Sequence, residues 1–179
     1  WSGGVDHNHL AFRSLRIEPF EAVAPSNSKG PDSLVRHNTA VTPLFRTTHW
    51  GLVRSQNDGV ELDQSEDSYS GERRAIDWWG YAFSRPHFFN RLRYVTGRVY
   101  SGAGGWFENI SVQVSQDGKW VDVSGQQVNP TYPANSEVLE FQTYDFTFDD
   151  TWGDGIRLVG KPGGPQTYTS IAELDVFFE

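Results

Sequence analysis

The sequence predicts an all-β protein, an antiparallel β-sandwich, on three observations. Short runs alternate bulky apolar residues with small or polar ones, the period-2 pattern of strands with one buried face. No window places apolar residues at i, i+3, i+4 and i+7 over the length of a helix. Turn chemistry, drawing on 18 Gly and 9 Pro, recurs at the intervals typical of sandwiches.

Along the chain, residues 1–11 are polar and Gly-rich and predict a linker or tag remnant, leaving 12–179 as a single domain. Phe12 to Phe20 predicts an opening strand, and Pro25 to Pro31 (PSNSKGP) a turn. Ser55 to Arg74 is polar and predicts a long surface connection. Trp79, Tyr81 and Phe83 then alternate with Gly80 and Ala82 in a strand that Pro86 ends; Trp78 points to the opposite face from Trp79. Leu92 to Tyr100 predicts the next strand. Val112 and Val114, then Val121 and Val123, flank Asp117-Gly118, the strongest short-range hairpin signal because both turn residues accept positive φ. Tyr144, Phe146 and Phe148 mark a further strand and Ile156 with Leu158 another. Between them, Asp149 to Gly155 (DDTWGDG) predicts a turn. Ala172, Leu174, Val176 and Phe178 form the closing strand.

Composition narrows the function. A chain of 179 residues is long enough for one well-buried core. With 7 Trp, 7 Tyr and 12 Phe, rings supply much of that core. A formal charge of −8 argues against a duplex nucleic-acid binder, which neutralises phosphates with Lys and Arg. No apolar run approaches the ~20 residues of a membrane-spanning helix. With no Cys, neither a disulfide framework nor a thiolate zinc site is available. The chain lacks Met and begins at Trp1, which is expected of a module cut from a longer protein.

Five segments carry a family resemblance. Val112 to Val123 (VQVSQDGKWVDV), Asp154 to Gly160 (DGIRLVG) and Thr169 to Phe178 (TSIAELDVFF) resemble, in order, strands of the discoidin, or coagulation factor V/VIII type C, modules. Those modules share a galactose-binding-like jelly roll with the family 32 carbohydrate-binding modules. Asp77 to Phe83 (DWWGYAF) and Gly104 to Phe107 (GGWF) are similar to a bacterial subgroup appended to polysaccharide-degrading enzymes. The resemblance covers about residues 20–179. It implies two face-to-face antiparallel sheets with ligand loops at one end, and a secreted module that tethers a catalytic domain of the same parent chain to a polysaccharide.

Sugars offer C–H faces and hydroxyl edges, so a site needs a ring for stacking beside hydrogen-bonding side chains. Trp106, after the Gly-rich run Ser101 to Gly105, and Tyr168, in the loop Gly160 to Thr169 (GKPGGPQTYT), are the expected platforms. His49, Trp50, Arg73 and Arg98 are the expected partners. Six of the 15 Lys and Arg fall at Arg73, Arg74, Arg85, Arg91, Arg93 and Arg98, which keeps an acidic polysaccharide among the ligand classes. Trp120 matches the Trp of the family's hairpin and has a structural role by that resemblance. The resemblance further implies a structural Ca2+ between an early loop and Glu173, with Asp32 and Asn38 as the oxygen donors of that loop; His37 and Asn38 stand where relatives often carry Asp-Gly. No HExxH, GxSxG, P-loop or dinucleotide motif announces catalysis. Two alternatives stay open: a spacer that keeps the fold without a glycan site, and a small glycan hydrolase or lyase using two of the 23 acids.

Overall fold

The computed structural model describes residues 24–25, 27–36, 38, 41–45, 56–62 and 64–179. The predicted linker at 1–11 and opening strand at 12–20 lie outside these residues.

Eight strands follow one another with no helix among the described residues: β1 (Val41–Phe45), β2 (Glu66–Asp67), β3 (Asp77–Thr96), β4 (Ser111–Gln116), β5 (Lys119–Asp122), β6 (Gln127–Asn129), β7 (Thr143–Gly160) and β8 (Ser170–Phe177). All pairings are antiparallel. The two long strands, β3 and β7, pair along their whole lengths and take part in both layers of a sandwich. One layer runs β2, β8, the second half of β3, the first half of β7, then β6. The other runs β1, the first half of β3, the second half of β7, then β4 and β5. This is the predicted class.

Two boundaries differ from the prediction for one reason. Pro86 does not end a strand, and Asp149 to Gly155 is not a turn. Both lie where β3 and β7 pass between layers. The ladder breaks register between Ala82 and His87, so Pro86 sits where no strand partner needs its missing N–H. Across that break Trp152 pairs with Phe88 and Gly153 with His87. The Asp-Gly hairpin is present as predicted, with Asp117 at φ 51° and Gly118 at φ 74° between Gln116 and Lys119.

The core fills from alternating residues of both layers. Trp79, Tyr81, Val112, Val114, Ile156 and Leu158 come from one, and Leu92, Tyr94, Phe146, Leu174 and Val176 from the other; all are buried in one cluster. Each such side chain contributes roughly 1.5–3 kcal/mol by leaving water. Tyr81 brings a polar handle into this apolar interior, and its hydroxyl donates to the carbonyls of Leu174 (2.8 Å) and Gln56 (2.7 Å). The predicted surface connection 55–74 is therefore partly internal, since Gln56, Ser68 and Arg74 are buried.

Candidate functional site

Three connections meet where β8 begins: residues 68–76, 97–110 and 161–169. Backbone bonds tie them together. Gly105 donates to Tyr168 O (2.9 Å), Gln166 to Ala103 O (2.9 Å) and Gly163 to Trp106 O (2.8 Å). The Arg74 N–H donates to Thr167 Oγ1 (2.9 Å). Beneath them Asp77, fully buried, accepts from the hydroxyls of Ser68 and Thr169, and Trp79 Nε1 donates to Thr169 Oγ1 (2.9 Å). Burial raises the Asp77 carboxyl, while these hydroxyls pull it back down. The loop end is thus a framework fixed from below.

The two expected platforms belong to that framework rather than to its surface. Trp106 and Tyr168 are each only 5% exposed. The Trp106 indole lies against the backbone of Gly163, where an added Cβ would stand 2.0 Å from Nε1. The glycine that lets the chain close over the ring is Gly163 of the neighbouring loop, while Gly104 of the run before Trp106 meets the Tyr168 ring. Tyr168 packs edge-on against Tyr69, with centroids 5.7 Å apart, and burial pushes its phenol up to about 12, with Asp67 and Tyr100 adding to the shift. The expectation of open stacking faces at Trp106 and Tyr168 is corrected accordingly.

The rim above them is different. Tyr100 is 54% exposed at the mouth of a tight turn, its N–H bonded to Gly104 O (2.9 Å). Arg73 and Arg98 are exposed and carry no ion pair among the described residues. The structure therefore places Arg73 on the connection that docks on the Tyr168 loop and Arg98 two residues before Tyr100. His49 and Trp50 lie outside the described residues. Tyr100 and Tyr69 were missed in the sequence, although Tyr100 stands directly before the Gly-rich run that drew attention to Trp106.

A second polar cluster lies along β8. Glu173 and Asp175 are fully buried. The Gly59 N–H donates to Glu173 Oε2 (3.2 Å), while Glu173 Oε1 has no hydrogen-bond partner. Arg36 donates from Nε (3.2 Å) and Nη2 to the Asp175 carboxylate, and its Nε stands 3.8 Å from Glu173 Oε1. Burial, then the Asp175 charge, pushes the Glu173 carboxyl up to about 8, and Asp58 adds to that push. The early-loop acid whose charge acts on Glu173 is thus Asp58, in Asn57-Asp58-Gly59, with its carboxylate accepting from the Val60 N–H (2.8 Å). Asp32 instead lines a cavity with Arg91, Arg93 and Phe177, and Asn38 gives its amide to Leu34 O (2.9 Å). His37 lies outside the described residues. No three His, Cys, Asp or Glu converge as a metal cage among the described residues. Carboxylate oxygens suit a hard cation such as Ca2+ better than any softer metal, although the Arg36 guanidinium already stands 3.8 Å from the unbonded Glu173 Oε1.

No family model matches the sequence. A chain from the Streptococcus pneumoniae β-galactosidase BgaA superposes with a TM-score of 0.66 at 12% identity, covering 83% of this chain and 99% of that one. The family 32 carbohydrate-binding module of Clostridium perfringens NanJ, in complex with galactose, gives 0.56 at 18% identity over 77% and 93%. Among curated proteins, phospholipase D alpha 1 of Ricinus communis is 35% identical over 52 residues. That stretch spans 29% of this chain and 6% of that protein. At these identities the structural likeness is one of fold. The chain has the discoidin-like, galactose-binding-like β-sandwich of the family 32 modules.

Proposed function

We propose that the chain is a non-catalytic carbohydrate-binding module, a secreted part of a larger protein that holds a polysaccharide-active domain near its substrate by raising effective concentration. The observation that carries this reading is the rim of the loop end. Tyr100 offers an accessible ring, with the donors of Arg73 and Arg98 at the same end, on loops whose undersides are locked. A rigid ring with fork-shaped donors beside it suits the apolar face and paired hydroxyls of a sugar. The galactose-bound neighbour of the same fold supports the ligand class.

Three of the acids at this end are engaged, while Glu72 is exposed and carries no ion pair among the described residues. Asp77 is held by Ser68 and Thr169, Asp67 accepts from the Tyr69 N–H (3.0 Å), and Glu108 pairs with Lys161. A calcium ion would be held by Glu173 and Asp58, and would tie the 56–62 segment to β8 as a structural cation.

Native affinity electrophoresis of the chain through gels carrying neutral and acidic polysaccharides tests the reading. Retardation by at least one polymer, lost in Tyr100→Ala, is expected. If the wild-type chain migrates freely through every gel, the spacer reading replaces this one.

A further inference from the structure

We propose a second binding site, for a sugar bearing an oxyanion, on the outer face of the layer that contains β8, away from the loop end. It adds to the carbohydrate-binding reading but uses different residues. Arg91 and Arg93 lie on one face of β3 and pair across the ladder with Phe177 and Asp175 of β8. Pro31, Asp32, Ser33 and Arg36 form a wall beside them, and the open cleft between measures about 400 Å3. Its lining includes three guanidinium groups, Arg36, Arg91 and Arg93, around the Phe177 ring.

The guanidinium planes are held in place. Arg91 lies 3.8 Å over the Phe177 ring and Arg93 5.7 Å from it. Arg91 donates Nη1 to Asp145 (2.9 Å) and Nη2 to Glu179 (2.6 Å), while Arg93 reaches Asp145 only at 3.5 Å. Arg36 is fixed by Asp175. These bonds leave donors over. Arg91 Nε is buried without a partner, and among the described residues Arg93 Nη1 and Nη2 and Arg36 Nη1 take no acceptor.

Several forked donors without acceptors around one cavity match the planar, two-point geometry of a carboxylate or the oxygens of a sulfate ester. Phe177 and the stacked Arg91 supply a flat edge for a sugar ring. Asp32, exposed in the wall, is the one acid among the described residues that line the cavity, and its charge opposes such a ligand. The carboxylates of Asp145, Glu179 and Asp175 brace the forks and lower the net charge, so the site selects by donor geometry more than by bulk potential.

A chain of formal charge −8 has no general attraction for polyanions, which makes the test sharp. Affinity electrophoresis would compare polygalacturonate, a sulfated galactan and a neutral β-galactan, each at low and raised salt. The proposal expects retardation by polygalacturonate or the sulfated galactan, and which of the two names the oxyanion. Retardation should weaken with salt. Arg93→Gln should weaken it about tenfold, as for loss of a charge-assisted contact, and Arg93→Lys should not restore it. Asp32→Asn should strengthen it. Arg93 is partly exposed and weakly paired, so these variants should keep the wild-type melting temperature. Two results overturn the proposal: retention of the neutral polymer alone, or equal retention of acidic polymer by wild type and Arg93→Gln. The first leaves the loop-end reading standing, because Tyr100→Ala would still abolish it. If no polymer retards the chain, both readings fall together.

Discussion

The two layers of the loop end use the same kind of residue for opposite purposes. Underneath, Trp106 and Tyr168 are covered, and their neighbours Gly163 and Tyr69 are shaped around them. Above, Tyr100 keeps more than half of its surface in water. Gly-rich loops of this kind cannot be stable unless something apolar pins them, since glycine loses much conformational freedom on ordering. The ring nearest the glycines in sequence is therefore the one the loop closes on, and the ring before the run is left outside. Proximity to a glycine run does not by itself tell an anchor from an exposed ring: Trp106 and Tyr100 flank the same run and differ in burial.

The largest effect that would break this comparison is at Trp106. Trp106→Ala empties a covered site, and a loss of ~3–5 kcal/mol is expected, seen as a clearly lowered midpoint in chemical denaturation. A melting behaviour unchanged from wild type would return Trp106 to the surface and undo the distinction. Next comes Gly163→Ala. The added methyl meets the indole at a distance no real contact allows, so the loop must shift at a cost of about 1–3 kcal/mol. The double variant Trp106→Ala with Gly163→Ala should lose less than the two single losses combined, because the methyl then enters the space the indole vacates.

Legibility followed the same division. The sandwich could be read because strand alternation is a local pattern, and Trp79, Tyr81, Ala172, Leu174 and Val176 show it cleanly. Pro86 and Asp149 to Gly155 misled because a strand passing from one layer to the other looks, residue by residue, like a break. The site was harder. Whether a ring such as Trp106 stacks on a sugar or on its own backbone depends on Gly163, 57 positions away in the chain. Asp58 was overlooked beside Glu173 for a related reason: Asn57-Asp58-Gly59 reads as a plain turn until its Gly59 N–H is seen to meet Glu173. The fused connection 55–74 hid its buried members, Gln56 and Ser68, because polar residues in a loop give no sign of being internal.

A pH-dependent effect separates the β8 cluster from both layers of the loop end. Glu173 has its carboxyl raised from 4.5 to about 8, so the fold binds a proton there that the unfolded chain has released. Its contribution is fully present below 4.5 and is lost as pH rises through 8. In EDTA the wild-type melting temperature should fall across that interval, and Glu173→Gln should flatten the dependence. Added Ca2+ favours the ionised carboxylate, so its stabilisation should grow with pH in the wild type and vanish in Glu173→Gln. Identical profiles with and without EDTA, together with no response to Ca2+, would remove the cation from the proposed role of this cluster.

The smallest effect on stability, and the one that decides function, is at the rim. Tyr100→Ala removes a ring more than half exposed, so melting should stay within about 0.5 kcal/mol of wild type. Glycan retention should nevertheless be lost, because removing one ring-stacking contact of ~1.5 kcal/mol weakens a loop-borne site about tenfold, enough to abolish retardation. Tyr100→Phe keeps the face and loses the hydroxyl, so it should retain most of the binding if stacking is the main contribution. Should Tyr100→Phe be as weak as Tyr100→Ala, the hydroxyl rather than the ring meets the sugar, and the rim would act through hydrogen bonds alongside Arg73 and Arg98. Should neither change retention, the ligand bypasses the rim, and the guanidinium cavity beside Phe177 becomes the site through which the chain holds its polysaccharide.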